Sequence, residues 1–334
     1  MSTAARLLAG ALAALALTGC GGGGGDPELV VYSGRNEALV KPILDQFIEE
    51  SKLNVAVRFG DTTDLAGTLI EEGSEPRADV FIGQDAGALG RLDEKGLLAV
   101  YPEVVGKVPE NFRAQDNTWV GLSARVRVLI VNTEELPKAE WPDSIFDLTD
   151  PKWKGKVAAP NATNASWIGF VSEMRVKIGD ERTREWLEGM KANDLAVLGS
   201  HTDVRNAVGS GEFPLGLVNH YYVELEKREG SPVEPIYTDQ EPGGFGAVVN
   251  AASAGIIKGA AHAGNARKLM DFLLTPAVQE EFAALNYEYP VVPNIPAAGL
   301  KPLDEITGTG VALRDLGPKL DSTLDLLDEV GLGE

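Results

Sequence analysis

Apolar and polar positions follow two rhythms along this chain, and the rhythms take turns. Leu29-Val30-Val31-Tyr32 is a short β-branched run closed by Ser33-Gly34, the pattern of a buried strand entering a loop. Leu39, Val40, Ile43, Leu44, Phe47 and Ile48 then recur at helical spacing, with Asn36 placed as an N-cap and Ser51 near the end. Leu53 to Phe59 alternates as a second strand, Asp64 to Glu72 reads as a helix, and Ala78 to Ile82 as a third strand. The same alternation continues with strands at Val126–Val131 and Lys156–Ala159 and helices at Ala165–Ile178 and Asp180–Met190. Val204 to Val208, Gly209-Ser210-Gly211-Glu212 and Leu215 to Val218 read as helix, turn and strand; a strand near Ala247–Val249 and a helix at Ala263–Leu274 follow.

Strands that alternate with helices predict an α/β protein with parallel sheets. So many strands predict two sheets rather than one. Ligands of such sheets bind beyond the carboxyl ends of the strands, which makes Ser33–Asn36 and Gly83–Asp85 candidate site loops. The pattern shows no repeat of fixed period.

The N-terminus reads differently. One early charge, Arg6, precedes an apolar run from Leu7 to Leu17 and then Thr18-Gly19-Cys20. This is an export signal, too short for a finished membrane span of about 20 apolar residues. It resembles a bacterial lipobox, which implies cleavage before Cys20 and lipid attachment to its thiol. Gly21 to Gly25 is a pure glycine spacer suited to a tether. Residues 1–19 are thus expected as signal peptide and 20–27 as lipidated cysteine and linker, which puts the protein on the outer face of the cytoplasmic membrane.

Composition narrows the partners of the remaining body. The net charge of −20 is spread along the chain, which excludes the basic footprint of a nucleic-acid binder and of a protein that adheres to anionic lipid. The single cysteine excludes a disulfide scaffold. Three histidines, His201, His220 and His262, show no paired metal-ligand spacing, and no Ser-His-Asp order or phosphate-binding glycine loop is present. Turnover of a compound in the cleft would be needed to revive a lipid-anchored enzyme.

Several segments arrive in an order that identifies a family. Val31-Tyr32-Ser33-Gly34-Arg35-Asn36, Ala78-Asp79-Val80-Phe81, Leu122-Ser123-Ala124-Arg125-Val126-Arg127-Val128, Val218-Asn219-His220-Tyr221-Tyr222 and the stretch from Phe272-Leu273-Leu274 to Asn286-Tyr287-Glu288-Tyr289-Pro290 resemble the ferric-iron-binding proteins of ABC importers. The resemblance covers nearly the whole mature chain. It implies a two-lobed periplasmic-binding-protein clamshell, type II-like, with more than one hinge crossing. Residues 28–125 plus 251–300 would form the first lobe and 126–250 plus 301–334 the second. It further implies a monomer that takes Fe³⁺ in the cleft and hands it to a permease.

Within that resemblance Tyr221 and Tyr222 become the metal ligands, because phenolate is a hard anionic donor for a hard cation. Adjacent residues of a strand point to opposite faces, so both can reach one metal only where strand turns into helix. The helix-like Glu224-Leu225-Glu226-Lys227 fits such a corner. Two phenolates leave charge and coordination positions for an exogenous anion such as carbonate. Arg125 matches the family position that holds this anion, through a guanidinium fork suited to a planar oxyanion. Asn219, Asn164, Ser166 and His201 match further anion contacts.

The sequence also departs from the family. A histidine in the first loop and a glutamate after the third strand are ligands in many members; here Asn36 and Gln84 stand there, as cleft-lining residues. Asp85 is a cleft carboxylate that substitutes for the missing one or caps a helix. His220 is expected to point away from the metal. The departure leaves a rival reading open, the same clamshell binding phosphate, phosphonate, thiosulfate or an iron chelate without tyrosinate coordination.

Overall fold

A computed structural model describes residues 25–162, 164–297 and 299–333. The export signal, Cys20 and most of the glycine spacer lie outside the described residues. Ten strands order the fold: β1 Leu29–Ser33, β2 Val55–Phe59, β3 Val80–Gly83, β4 Trp119–Asn132, β5 Val157–Pro160, β6 Ala196–Leu198, β7 Leu215–Asn219, β8 Val233–Ile236, β9 Val249–Ile256 and β10 Tyr289–Pro290. Between them lie α1 Glu37–Ser51, α2 Thr62–Glu72, α3 Ala86–Glu94, α4 Ala165–Ile178, α5 Asp180–Ala192, α6 His201–Gly209 and α7 His220–Arg228, followed by α8 Ala263–Leu273, α9 Pro276–Asn286 and α10 Leu320–Val330. No helix among the described residues is long and apolar enough to cross a membrane.

The strand order is β2-β1-β3-β9-β4-β7-β5-β6, with β8 and β10 also paired to β4. The expected two sheets are therefore present but share a strand, and they are mixed rather than parallel: β2-β1-β3 and β7-β5-β6 run parallel, whereas β9 and β4 run antiparallel to every strand they pair with. From Trp119 to Val126, β4 runs antiparallel to β9, and Ser123 and Ala124 also pair with β10. From Arg127 to Val131 it pairs instead with β7, and from Leu129 to Asn132 with β8. All fourteen residues are buried, so the strand is an internal member of both sheets and the change of partner falls between Val126 and Arg127.

Sequence periodicity finds only the second half of β4. Its first half, Trp-Val-Gly-Leu-Ser-Ala-Arg, mixes glycine and polar residues, and burial on both faces removes the alternation that marks a half-exposed strand. Likewise β9 begins at Val249 and runs eight residues through Asn250-Ala-Ala-Ser-Ala-Gly, a small-residue run with little strand propensity of its own. Its pairing on both sides, with β3 and with β4, makes it a strand.

Two apolar cores hold the fold; the first packs the β1-β3 sheet and continues across β4 and β7 through Val128, Ile130 and Val218, and the second packs the other face of the β7-β5 sheet. Val31, Ile43, Phe47, Leu65, Phe81 and Phe282 belong to one; Leu129, Trp167, Phe170, Trp186, Leu217 and Leu327 belong to the other. The C-terminal stretch serves both. Leu313 and Leu316 pack into the first core, while Leu326, Leu327 and Val330 of α10 seal the second. A Cβ on Gly317 would lie 2.7 Å from the carbonyl carbon of Gly90 on α3, so this crossing is a backbone-to-backbone contact that only glycine permits.

Candidate functional site

The helix starts determine what the site is made of. A cavity of about 250 Å³ is walled on one side by Gly34, Arg35 and Asn36 before α1, Gly60, Asp61 and Thr62 at the start of α2, and Gln84 before α3. Asn164 and Ser166 at the start of α4, Ser200 and His201 at the start of α6, and Tyr222 form the opposite wall. Backbone N–H groups of a first helical turn have no partner within the helix, so a space met by several such turns favours negative charge. An open groove of about 450 Å³ elsewhere is walled by Arg58, Thr68, Glu71, Glu72, Glu75 and Arg77; it shares no residue with this cavity.

Asn219 ends β7 and His220 opens α7 with no intervening loop. That corner places Tyr221 and Tyr222 in the first helical turn, where successive residues diverge by about 100° instead of pointing oppositely. Their rings lie 4.5 Å apart, centroid to centroid, and both are buried. The Tyr221 hydroxyl accepts from Asn219 Nδ2 at 3.2 Å and from Gln84 Nε2 at 3.3 Å. Burial, reinforced by Tyr221, holds the Tyr222 phenol well above its ordinary value, opposed by the Arg35 guanidinium.

The expected anion contacts divide into two groups. Ser166 and Asn219 exchange hydrogen bonds at 3.1 and 3.2 Å, and the His201 ring lies tilted by 32° against Tyr222, with centroids 5.1 Å apart. The Asn164 side chain caps α4, accepting from the backbone of Ser166 and Trp167. The Asn36 side chain caps α1 in the same way. Arg125 and Asp85 pair with each other instead, 3.2 Å apart and each 1 % exposed, and neither lines the cavity. Asp85 also caps α3 through Gly87 N, so its carboxylate is committed on both oxygens.

The guanidinium that reaches the anion-contact residues is Arg127. Its Nη2 donates to the Ser166 carbonyl at 2.7 Å and to the Ser166 hydroxyl at 2.9 Å. Its Nη1 donates to His201 Nε2 at 3.3 Å, which makes Nε2 the acceptor and leaves the proton on Nδ1. Burial, with Arg125 beside it, pulls Arg127 down to about 9, still cationic at neutral pH. The same burial and the two arginines hold His201 well below its ordinary value and therefore neutral.

Sequence reasoning missed Arg127, Arg35, Thr62 and Asp61. The Arg-x-Arg spacing of 125 and 127 was the available signal, since residues two apart in a strand share a face. Arg35 is buried, with Nη2 2.7 Å from Glu288 Oε1 and Nη1 donating to Ser123 at 3.1 Å. Nothing local marks Thr62. Its hydroxyl donates to the Gly34 carbonyl at 2.9 Å and accepts from Gln84 N at 3.0 Å, holding three cavity loops together. His220 points elsewhere: Nδ1 accepts from Val126 N at 3.1 Å and Nε2 donates to the Tyr287 carbonyl at 2.8 Å, and burial pushes it down to about 4.

Two half-sheets joined by a shared strand around a polar cavity describe a two-lobed binding protein, and residues 75–305 match the family of bacterial extracellular solute-binding proteins. The chain belongs to that family. A solute-binding protein of this family is a carrier and not an enzyme. The chain is 30% identical over 317 residues to the Fe(3+)-binding periplasmic protein of Serratia marcescens, covering 92% of this chain and 91% of the relative. In structure it is similar to iron-bound HitA from Pseudomonas aeruginosa, with a TM-score of 0.84 and 29% identity over 91% of this chain and 99% of the other. It is also similar to a Trichodesmium protein (IdiA, FutA) in complex with iron and citrate ligands, with a TM-score of 0.76 and 28% identity over 91% and 99%. The clamshell architecture is thereby established for this solute-binding protein.

Proposed function

We propose that this solute-binding protein captures Fe³⁺ outside the cytoplasmic membrane and delivers it to an ABC permease, as a lipid-anchored monomer tethered through Cys20. The observation that carries this reading is the Tyr221-Tyr222 pair in the first turn of α7, with ring centroids 4.5 Å apart beside the polar cavity. Tyr221 and Tyr222 bind the metal as phenolates. An anion such as carbonate or citrate completes the coordination, held by Ser166, Asn219, His201 and Arg127, with the helix starts at Asn36 and Asn164 adding partial positive charge. Arg125 acts through Asp85, fixing the strand on which Arg127 sits. The lobes divide where β4 changes partners, and closure brings Gln84 to Tyr221.

Energetics set the demand on the metal. Ionising two tyrosines of ordinary pKa at pH 7 costs roughly 8 kcal/mol, which metal coordination must supply. The iron-bound relatives support such a cargo for this fold. The rival, an oxyanion or chelate held without phenolate coordination, draws on the convergence of helix starts at one cavity, with Arg127 behind its wall bonded to Ser166 and His201.

The test is a titration of protein beginning at Asp26 with ferric citrate in bicarbonate buffer. A visible phenolate-to-iron charge-transfer band is expected, and Tyr221→Phe and Tyr222→Phe are each expected to diminish or abolish it. No band in the wild type, with or without added anion, would reject tyrosinate coordination in favour of the rival.

A further inference from the structure

Resting on the ferric reading above, we infer that Asp61 supplies a third anionic oxygen to the bound metal. Asn36 and Gln84 are neutral amides, weak donors for a hard cation, and Asp85 is spent on Arg125 and Gly87. Among the described residues of the cavity wall, Asp61 is the one carboxylate. It occupies the N-cap position of α2, yet its side chain makes no capping hydrogen bond. An N-cap aspartate ordinarily accepts from the backbone two or three residues on; here that capacity is left for a ligand.

The position is fixed while the side chain is not. Gly60 N donates to the Ser33 carbonyl at 3.2 Å, and Thr62 ties the loop to Gly34 and Gln84. A Cβ on Gly34 would fall 2.2 Å from the Thr62 hydroxyl, so glycine is what lets these two loops meet. Between the two anchors Asp61 is exposed and shares the cavity with Tyr222 and His201 from the opposite wall. Ligation by Asp61 and both tyrosines joins the two lobes through one ion. Three anionic donors balance the three positive charges of Fe³⁺, leaving the accessory anion to satisfy Arg127 and the helix starts.

The experiment compares wild type with Asp61→Asn, using ferric citrate as the probe and excess citrate as competitor. Asparagine caps as well as aspartate, so a change in folding is not expected; thermal melting of the metal-free proteins checks this. The variant should keep a charge-transfer band, since both tyrosines remain. The band should move to longer wavelength, because iron with fewer anionic donors is a better electron acceptor, and affinity should fall at least about tenfold. A wild-type band left unmoved by Asp61→Asn, with affinity unchanged within about twofold, would overturn this inference alone. Absence of a band in wild type would overturn the ferric reading and this inference with it.

Discussion

The Gln84 amide donates to the Tyr221 hydroxyl at 3.3 Å, joining the loop after β3 to the first turn of α7 across the cavity. Gln84 follows β3 of one sheet and Tyr221 follows β7 of the other, so their hydrogen bond is expected to exist only while the lobes are together. A net hydrogen bond contributes about 0.5–1.5 kcal/mol, and Gln84→Ala should therefore weaken ferric binding by about 2- to 13-fold. Small-angle scattering of the metal-free variant should show a larger radius of gyration. Unchanged affinity and radius would show that the contact does not participate in closure.

Ferric binding should weaken as pH falls. Each phenol that ligates as phenolate gives up a proton, so two protons leave per iron and log K should rise by as much as two for each pH unit below the phenol range. Burial, which holds Tyr222 above its ordinary value, makes the metal-free phenol neutral throughout this window. His201 and His220 are held neutral by burial, so no histidine step near pH 6.5 is expected in the curve. Affinity that does not change between pH 5 and 8 would exclude phenolate ligation.

These groups show what a sequence can and cannot reveal about such a site. The corner at Asn219 and His220 was legible, because a strand pattern gives way there to a helical one, and the family resemblance singled out the tyrosine pair that it carries. The first helix was legible from Val40, Ile43, Leu44 and Phe47. The partners of Arg125 were not, because Asp85 lies forty positions away and meets it only after β3, β9 and β4 stack side by side. Asp61 was equally silent: a Gly-Asp before a helix reads as a cap, and only the folded loop shows its carboxylate unspent.

Asp85 and Gly169 form a tight contact between α3 and α4. A Cβ at residue 169 would lie 2.2 Å from Asp85 Oδ2, so Gly169→Ala must push that carboxylate off Arg125 or separate the helices, at a cost of about 1–3 kcal/mol. Asp85→Ala leaves a buried guanidinium without its counter-charge and should cost about 3–5 kcal/mol. The double variant should lose less than the sum, since removing the carboxylate also removes the clash. Denaturant midpoints of the metal-free proteins check this; strict additivity would show that the two residues do not act on one another.

Glu173 gives the stability of the second lobe a pH dependence of its own. It is fully buried on α4, accepts from the Thr309 hydroxyl, and has no partner on Oε2. Lys177 faces the same loop but donates to the Thr309 carbonyl at 2.6 Å, not to the carboxyl. Burial raises Glu173 from an ordinary 4.5 to about 8, with Asp85 adding to the rise and Thr309 and Lys177 opposing it. The folded protein therefore holds a proton that the unfolded chain has released. Its contribution to stability is complete below about pH 4.5 and is lost progressively as pH rises to about 8. Glu173→Gln keeps an acceptor for Thr309 and cannot ionise, so the difference in unfolding free energy between variant and wild type should grow in favour of the variant across that window and level off above it. Asp85, also raised by burial, is present in both proteins, so the comparison isolates residue 173. A difference that stays constant from pH 5 to pH 9 would mean that Glu173 is ionised in the folded protein.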